Sequence, residues 1–372
     1  MRAHIHQMIH ALGRMARLAR WLGPWAADTR VPGGIERREL SIPAEDGRQI
    51  EAQLYRPTRI AVSGAWALAP GLHVQGPDDP RMDRFARVLA SSGCLVLAPK
   101  IADYTRLHIT ERAIADFQRA VHALLSLSEY PVGRRPWLFS ISFGSLLALR
   151  AASSSTLARR IGGVVLFGGF CDWRTVMRFT MTGGRETEHW DPLNRPVVLM
   201  NMLDEVLDHA GVAREHAAVL VEHWLRFARE TWSRSDRPPL VDTYQQVARS
   251  LAEEVPEPAR ELYLMGCGAT PGGTELCDGA LAQFDGSHME VRSYLTDVRC
   301  PVHIAHGADD DVIPVTEAHR LDEAFPEHVP HSVHVTGFYG HTAREQDLLR
   351  ALPTLVGEVA TLGRLLRAIA SA

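Results

Sequence analysis

From residue 39 onward, apolar residues follow two rhythms that take turns along the chain. "RRELSIPAEDGRQIEAQLYRP" alternates on either side of Glu45-Asp46-Gly47, which predicts two extended strands joined by a turn. "GAWALAP" and "CLVLAP" are short apolar runs, the pattern of strands covered on both faces. Between them, "DDPRMDRFARVLASSG" sets Phe85, Val88 and Leu89 on one side of a helix that Gly93 ends. "TERAIADFQRAVHALLSL" is a second amphipathic helix; the strand "PWLFSIS", a helix from Ser142 and the strand "IGGVVLFGGF" come next. Parallel neighbours require crossovers of this length, so the series predicts a mostly parallel sheet flanked by helices, with the opening hairpin as an antiparallel edge.

After Phe170 the alternation stops. "VVLMNMLDEVLDHAG", "AREHAAVLVEHWLRFARETW" and "VDTYQQVARSLAEEV" read as helices, and no strand appears until "CPVHIAHG". A helix near 315–325, the strand "HSVHVTG" and a long terminal helix complete the series. The expected organisation is therefore an α/β core of residues 39–172 and 299–372, interrupted by a helical cap over 173–298. Such a cap would lie over the carboxyl edge of the sheet, where open α/β sheets bind ligands. "TWSRSDRPPL" and "CGATPGGTEL" are the expected flexible joints.

Residues 1–38 hold a helix and a linker. Ile5, Met8, Ile9, Leu12, Met15, Leu18 and Leu22 recur at helical spacing, with Arg14, Arg17 and Arg20 on an adjacent face. This basic amphipathic helix is expected to pack on its own domain or on a second subunit. Peripheral attachment to anionic lipid is the alternative.

Composition narrows the function classes. The 372 residues are 46% hydrophobic with a net charge of −4, and acids and bases are interspersed, so the chain lacks the electrostatic footprint of a nucleic-acid binder. Five scattered cysteines without a CxxC pair point to a reducing, cytoplasmic setting rather than a disulfide framework. No stretch reaches the ~18 apolar residues of a membrane span. There is no HExxH, no close His/Cys quartet, no Walker motif and no GxGxxG after a strand, so neither a metal nor a cofactor is expected.

The chemistry centres on Ser140-Ile141-Ser142-Phe143-Gly144, where a strand passes into a helix. A nucleophile elbow at such a corner needs small residues two before and two after the nucleophile, and Ser140 and Gly144 fill those places. The usual motif is G-x-S-x-G, so Ser140 is a departure; the plain alternative for Ser142 is a helix N-cap. An orienting acid is expected at Asp309-Asp310-Asp311, after the strand ending at Gly307, with Asp310 preferred. Asp172, after the preceding strand, is the rival. The base candidate is His341, beyond the last strand in "HSVHVTGFYGHTARE". The order nucleophile, acid, base, with the long helical stretch inside the first gap, is that of α/β-hydrolases.

The chain thus resembles the α/β-hydrolase superfamily over about residues 39–372. More closely it is similar to a group of bacterial capped members, through "APGLHVQGPDDPRMDRFARVLA", "SISFGSLLAL", "LFGGFCDW" and "DPLNRPVVLMNML". It departs in Ser140 and in Pro70-Gly71, where many members carry His-Gly. The resemblance implies a Ser142–His341–Asp310 triad and an oxyanion hole from the backbone amides of Leu72 and Phe143. The expected activity is hydrolysis of a carboxylic ester or thioester, a small-molecule acyl substrate, through an acyl-enzyme. The alternatives are an acyltransferase or cyclase with the same triad, or a catalytically silent ligand-binding scaffold. His73, Trp173 and Met200 are candidates for the substrate pocket. For Trp173 and Met200 the competing reading is packing inside the cap, and for His73 an ordinary loop histidine.

Overall fold

The computed structural model describes residues 13–22, 30–183, 190–232, 241–337 and 355–370. Eight strands form one sheet: β1 (Ile35–Pro43), β2 (Gln49–Pro57), β3 (Gly64–Ala69), β4 (Cys94–Pro99), β5 (Trp137–Ile141), β6 (Gly163–Phe167), β7 (Val302–Gly307) and β8 (His331–Thr336). Their spatial order is β1-β2-β4-β3-β5-β6-β7-β8. β1 pairs antiparallel with β2 and β2 antiparallel with β4; every later pairing is parallel. The hairpin turns at Gly47, whose φ of 83° suits glycine.

The inner strands look uniformly apolar in sequence, yet they sort their side chains strictly by face. Ala65, Ala67 and Ala69 of β3, Leu95 and Leu97 of β4 and Leu138 of β5 pack on one side. Trp66, Leu68, Val96, Trp137 and Phe139 pack on the other. The alanine face lets the helices Glu111–Leu125 and Gly144–Ala152 approach closely, and the bulky face is filled by the helix Pro80–Ser91. Capping is explicit: Thr110 accepts from the Ala113 amide (3.0 Å) and Asp79 from the Arg81 amide (2.8 Å).

The described part of the N-terminal helix, residues 13–22, joins that second layer together with the helix Leu355–Ala370. Leu18 is fully buried, Arg14 donates to the Ser63 hydroxyl (2.6 Å), and Arg84 donates to the Trp21 carbonyl (2.7 Å). Arg17 and Arg20 remain exposed. Ile5, Met8, Ile9 and Leu12 lie outside the described residues. Among the described residues no helix is long and apolar enough to cross a membrane. All five cysteines are buried and unbonded to one another.

Between β6 and β7 the described chain is helical: Trp173–Thr182, Arg195–Asn201, Leu203–Ala210, Ala217–Trp232, Val241–Ala252, Glu257–Gly266 and Gly273–Gln283. The joint expected at "CGATPGGTEL" is shorter than its composition suggests, because a helix begins at Gly273, after Gly272 turns the chain at φ 104°. Of "TWSRSDRPPL", only Thr231 and Trp232 are described, and they end a helix.

Candidate active site

β5 delivers Ser142 to a corner that ordinary residues avoid. Its φ is 53°, one of two positive values at non-glycine residues among those described. Such a conformation costs on the order of 1–3 kcal/mol and persists only where neighbours enforce it. Here they do. The Ser142 amide continues the ladder by donating to the Phe167 carbonyl of β6 (2.9 Å), while its own carbonyl accepts from Ser145 (2.9 Å) as the helix begins. Buried Tyr104 donates its hydroxyl to the Phe143 carbonyl (3.1 Å), and Phe143 packs on Phe170 with ring centroids 4.9 Å apart. At Gly144 a Cβ would stand 2.4 Å from the Ala69 carbonyl oxygen and 2.6 Å from that of Pro70, so no other residue fits. The chain has the α/β-hydrolase fold.

Ser140 fits the corner sterically but at a cost. It is fully buried between Ala69 of β3 and Leu166 of β6 on the neighbouring strands, and its hydroxyl has no hydrogen-bond partner among the described residues. The loop after β3 lies against the elbow: a Cβ at Gly71 would stand 3.1 Å from the Ile141 carbonyl oxygen and 3.5 Å from the Ser142 Cβ. Neither the Leu72 nor the Phe143 amide donates to a backbone carbonyl among the described residues.

The acidic turn after β7 is organised around Asp310. Its Oδ1 accepts from the amides of Val312 (2.9 Å) and Ile313 (2.8 Å), and its Oδ2 lies 3.4 Å from His306 Nε2. His306 is wholly buried and donates that same nitrogen's proton to the Ile313 carbonyl (2.9 Å), so this histidine braces the turn. The Ala308 amide donates to the carbonyl of Thr336, the last residue of β8 (2.9 Å), which ties the turn to the strand that precedes His341 in sequence. His341 itself lies outside the described residues.

Asp172 is engaged differently. It caps the helix Trp173–Thr182, accepting from the amides of Arg174 (3.0 Å) and Thr175 (3.3 Å) and from the Thr175 hydroxyl (3.1 Å). Its own amide and that of Cys171 donate to buried Glu317 (2.8 and 2.9 Å).

Ser142, Phe143, Gly71, Leu72 and His73 line a cavity of about 270 Å³, and Val312 of the acidic turn lines it too. The helical segment contributes Met177, Thr180, Asp191, Val197, Val198 and Trp232. Asp79 and Arg81 form a polar corner, where burial of Asp79 opposes ionisation but the Arg81 guanidinium outweighs it and holds the carboxyl below its ordinary range. Of the expected pocket residues, His73 lines the cavity. Trp173 and Met200 do not: Trp173 packs edge-on against Phe284 and Met200 is buried in the core.

No family model and no curated protein sequence matches the chain. Solved structures do align with it. An acylaminoacyl peptidase of Pyrococcus horikoshii aligns at 11% identity over 91% of this chain and 41% of that one, with a TM-score of 0.48. An esterase of Pyrococcus furiosus aligns at 15% identity over 90% of this chain and 95% of that one (TM-score 0.47). A brefeldin A esterase, described as a bacterial homologue of human hormone-sensitive lipase, aligns at 16% identity over 97% and 86% (TM-score 0.49). The chain spans about two fifths of the length of the peptidase.

Proposed function

We propose that the protein is a serine hydrolase that cleaves a small carboxylic ester or thioester through Ser142, His341 and Asp310. The observation that carries this reading is Ser142 itself: a serine held at φ 53° on a strand–helix corner, opening onto a cavity beside the Leu72 and Phe143 amides. A helix N-cap needs no such backbone, because N-caps sit in the extended region.

A serine hydroxyl is a weak nucleophile at neutral pH without a base. In the proposed reaction His341 takes the Ser142 proton as the oxygen attacks the acyl carbon, and the carbonyl oxygen becomes an oxyanion that the two amides stabilise. His341 then gives the proton to the leaving alcohol or thiol, which departs and leaves Ser142 acylated. Water, deprotonated by the same imidazole, attacks the acyl-enzyme; the acyl–oxygen bond to Ser142 breaks, His341 returns the proton to the Ser142 oxygen, and the acid departs. Asp310 holds the imidazole in orientation and stabilises its cation. No step requires a metal, so activity should be unchanged by chelators.

The cavity volume lies just under the ~300–1,000 Å³ of drug-sized ligand pockets, which favours a compact acyl group. Whether water or another nucleophile resolves the acyl-enzyme decides between hydrolase and acyltransferase or cyclase. The test is a fluorophosphonate probe together with an ester panel. Ser142→Ala should abolish labelling and lower kcat by about 10³–10⁶-fold. A wild-type protein that neither labels nor turns over any ester or thioester would favour the silent scaffold instead.

A further inference from the structure

The loop that carries Leu72 meets the helical segment through the ring of His73, which stacks on Trp232. Gly71 and Gly76, the latter at φ 54°, leave this stretch little stiffness of its own. His73, between them, supplies it. Its Nδ1 accepts from the Gln75 amide (3.3 Å), so its proton sits on Nε2, which lies 3.4 Å from Asp79 Oδ2. Asp79 is in turn fixed at the start of the helix Pro80–Ser91, accepting from Arg81 Nε (3.1 Å) and Nη2 (2.9 Å). One face of the imidazole stacks on Trp232, with centroids 5.9 Å apart and planes inclined by 26°. Trp232 ends the helix Ala217–Trp232, and its indole N–H donates to the Leu193 carbonyl (3.3 Å). The imidazole is thus held at its edge by the core and on its face by the insertion, immediately after Leu72.

We infer that Trp232, acting through His73, positions the oxyanion-binding loop, so that the helical insertion helps to set the Leu72 amide against the reacting carbonyl. His73 and Trp232 are positioning residues in this scheme: Nδ1 of His73 accepts from the Gln75 amide and Nε2 faces Asp79, so the ring is oriented by the loop and the helix that follows it. The inference rests on the proposed role of Leu72. An oxyanion donor is useful only within a few tenths of an ångström of its place, and losing one costs roughly 10²–10³ in kcat. Loosening the loop should cost part of that, with little change in ground-state binding.

Two readouts test it in the full-length protein. Amide hydrogen exchange over residues 70–76 should quicken in Trp232→Ala and His73→Ala and stay near the parent rate in Trp232→Phe, which keeps a ring to stack on. Exchange in β3 and β5 of the same samples reports whether each variant is folded. For a compact p-nitrophenyl ester, kcat should fall about 10–100-fold in the two alanine variants, with KM within about threefold and recovery in Trp232→Phe. Unchanged exchange over 70–76 in folded His73→Ala overturns the inference. So does a raised KM at constant kcat, which would make the two rings substrate contacts only. Undiminished hydrolysis by Ser142→Ala would refute the nucleophile, and the exchange measurement would still decide the coupling.

Discussion

Asp172 and Asp310 each come after a strand of the parallel part of the sheet, β6 and β7, at the same edge. Both use Oδ1 to accept two backbone amides of the next segment. They differ in where the second oxygen goes. Asp172 spends it on the Thr175 hydroxyl, near Arg320, with 43% of its side chain exposed. Asp310 keeps only 2% exposed and turns Oδ2 into the interior beside His306, on a turn hydrogen-bonded to the end of β8. Asp172 is thus a solvent-facing helix cap, whereas Asp310 is buried on a turn joined to the strand that precedes the proposed base, and that contrast is what the proposed assignment of the acid draws on. The contrast originates in the residues after each aspartate. Trp173-Arg174-Thr175 starts a helix at once, whereas Asp311-Val312-Ile313-Pro314 delays the next helix to Thr316.

The sharpest way to break this comparison is to neutralise each acid in turn. Asparagine preserves an acceptor for the two amides, so Asp310→Asn should fold normally and lose about 10⁴-fold in kcat, the scale of removing a triad acid's charge. Asp172→Asn should stay within severalfold of the parent. Steady-state rates on one ester decide it, and the reverse ranking would make Asp172 the acid.

Next in size is the response of the β7–β8 region to acid. His303 donates to or accepts from Ser332 (2.8 Å), and Ser332 bonds His334 (2.9 Å), behind the strands that carry the acidic turn. Burial lowers the affinity of His303 for a proton, and burial, His303 and Arg364 together push His334 down to about 4. Both therefore stay neutral in the folded protein at pH values where the unfolded chain binds protons, near 6.5. Stability should be full above that value and decline as pH falls from 6.5 toward 4, by up to about 1.4 kcal/mol per pH unit for each unmatched proton. Denaturant melts at pH 7, 6 and 5 measure the slope. His334→Gln should flatten it, and a slope unaffected by that substitution would assign the loss to other groups.

A smaller effect sharpens the other half of the contrast. Asp172→Ala removes a helix cap and should cost about 1 kcal/mol of stability, with activity little changed. A large activity loss without destabilisation would contradict its structural assignment.

The order and type of the strands were legible because buried parallel strands announce themselves as short apolar runs between amphipathic helices. The strand–helix corner at Ser142 was legible for a similar reason: it demands small neighbours, and Gly144 is required by atoms 2.4 Å away. The pocket was legible only to the nearest helical turn. Trp173 shares a helix face with Met177 and Thr180, four and seven residues on, and Met200 shares one with Val197, three residues back. The later pair on the first helix and the earlier residue on the second line the cavity. Periodicity identifies the face that is covered, but a packed neighbour and a cavity look the same to it, so depth along the helix axis is lost. Sequence position alone favoured Asp310 over Asp172, but the different bonding of the two was hidden, since it lies in hydrogen-bond partners that the letters do not encode.

An effect no larger than the loss of the Asp172 cap concerns Ser140, where the chain departs from the glycine of the usual motif. Its hydroxyl is fully buried and unmatched among the described residues, and an unmatched buried hydroxyl costs about 1–3 kcal/mol relative to one that is paired. Removing that oxygen while keeping Cβ avoids both the penalty and the added backbone freedom of glycine, so Ser140→Ala should raise stability by about 1 kcal/mol. Ser140→Gly should gain less, because glycine inside a strand costs roughly 0.5–1 kcal/mol relative to alanine. The pair of variants separates two explanations for the departure. If Ser140 is only a tolerated filler, both proteins keep the parent kcat and differ in melting temperature alone. If the hydroxyl meets a substrate or a water during the reaction, Ser140→Ala gains stability and loses turnover, and the elbow serine two residues before Ser142 has a second task.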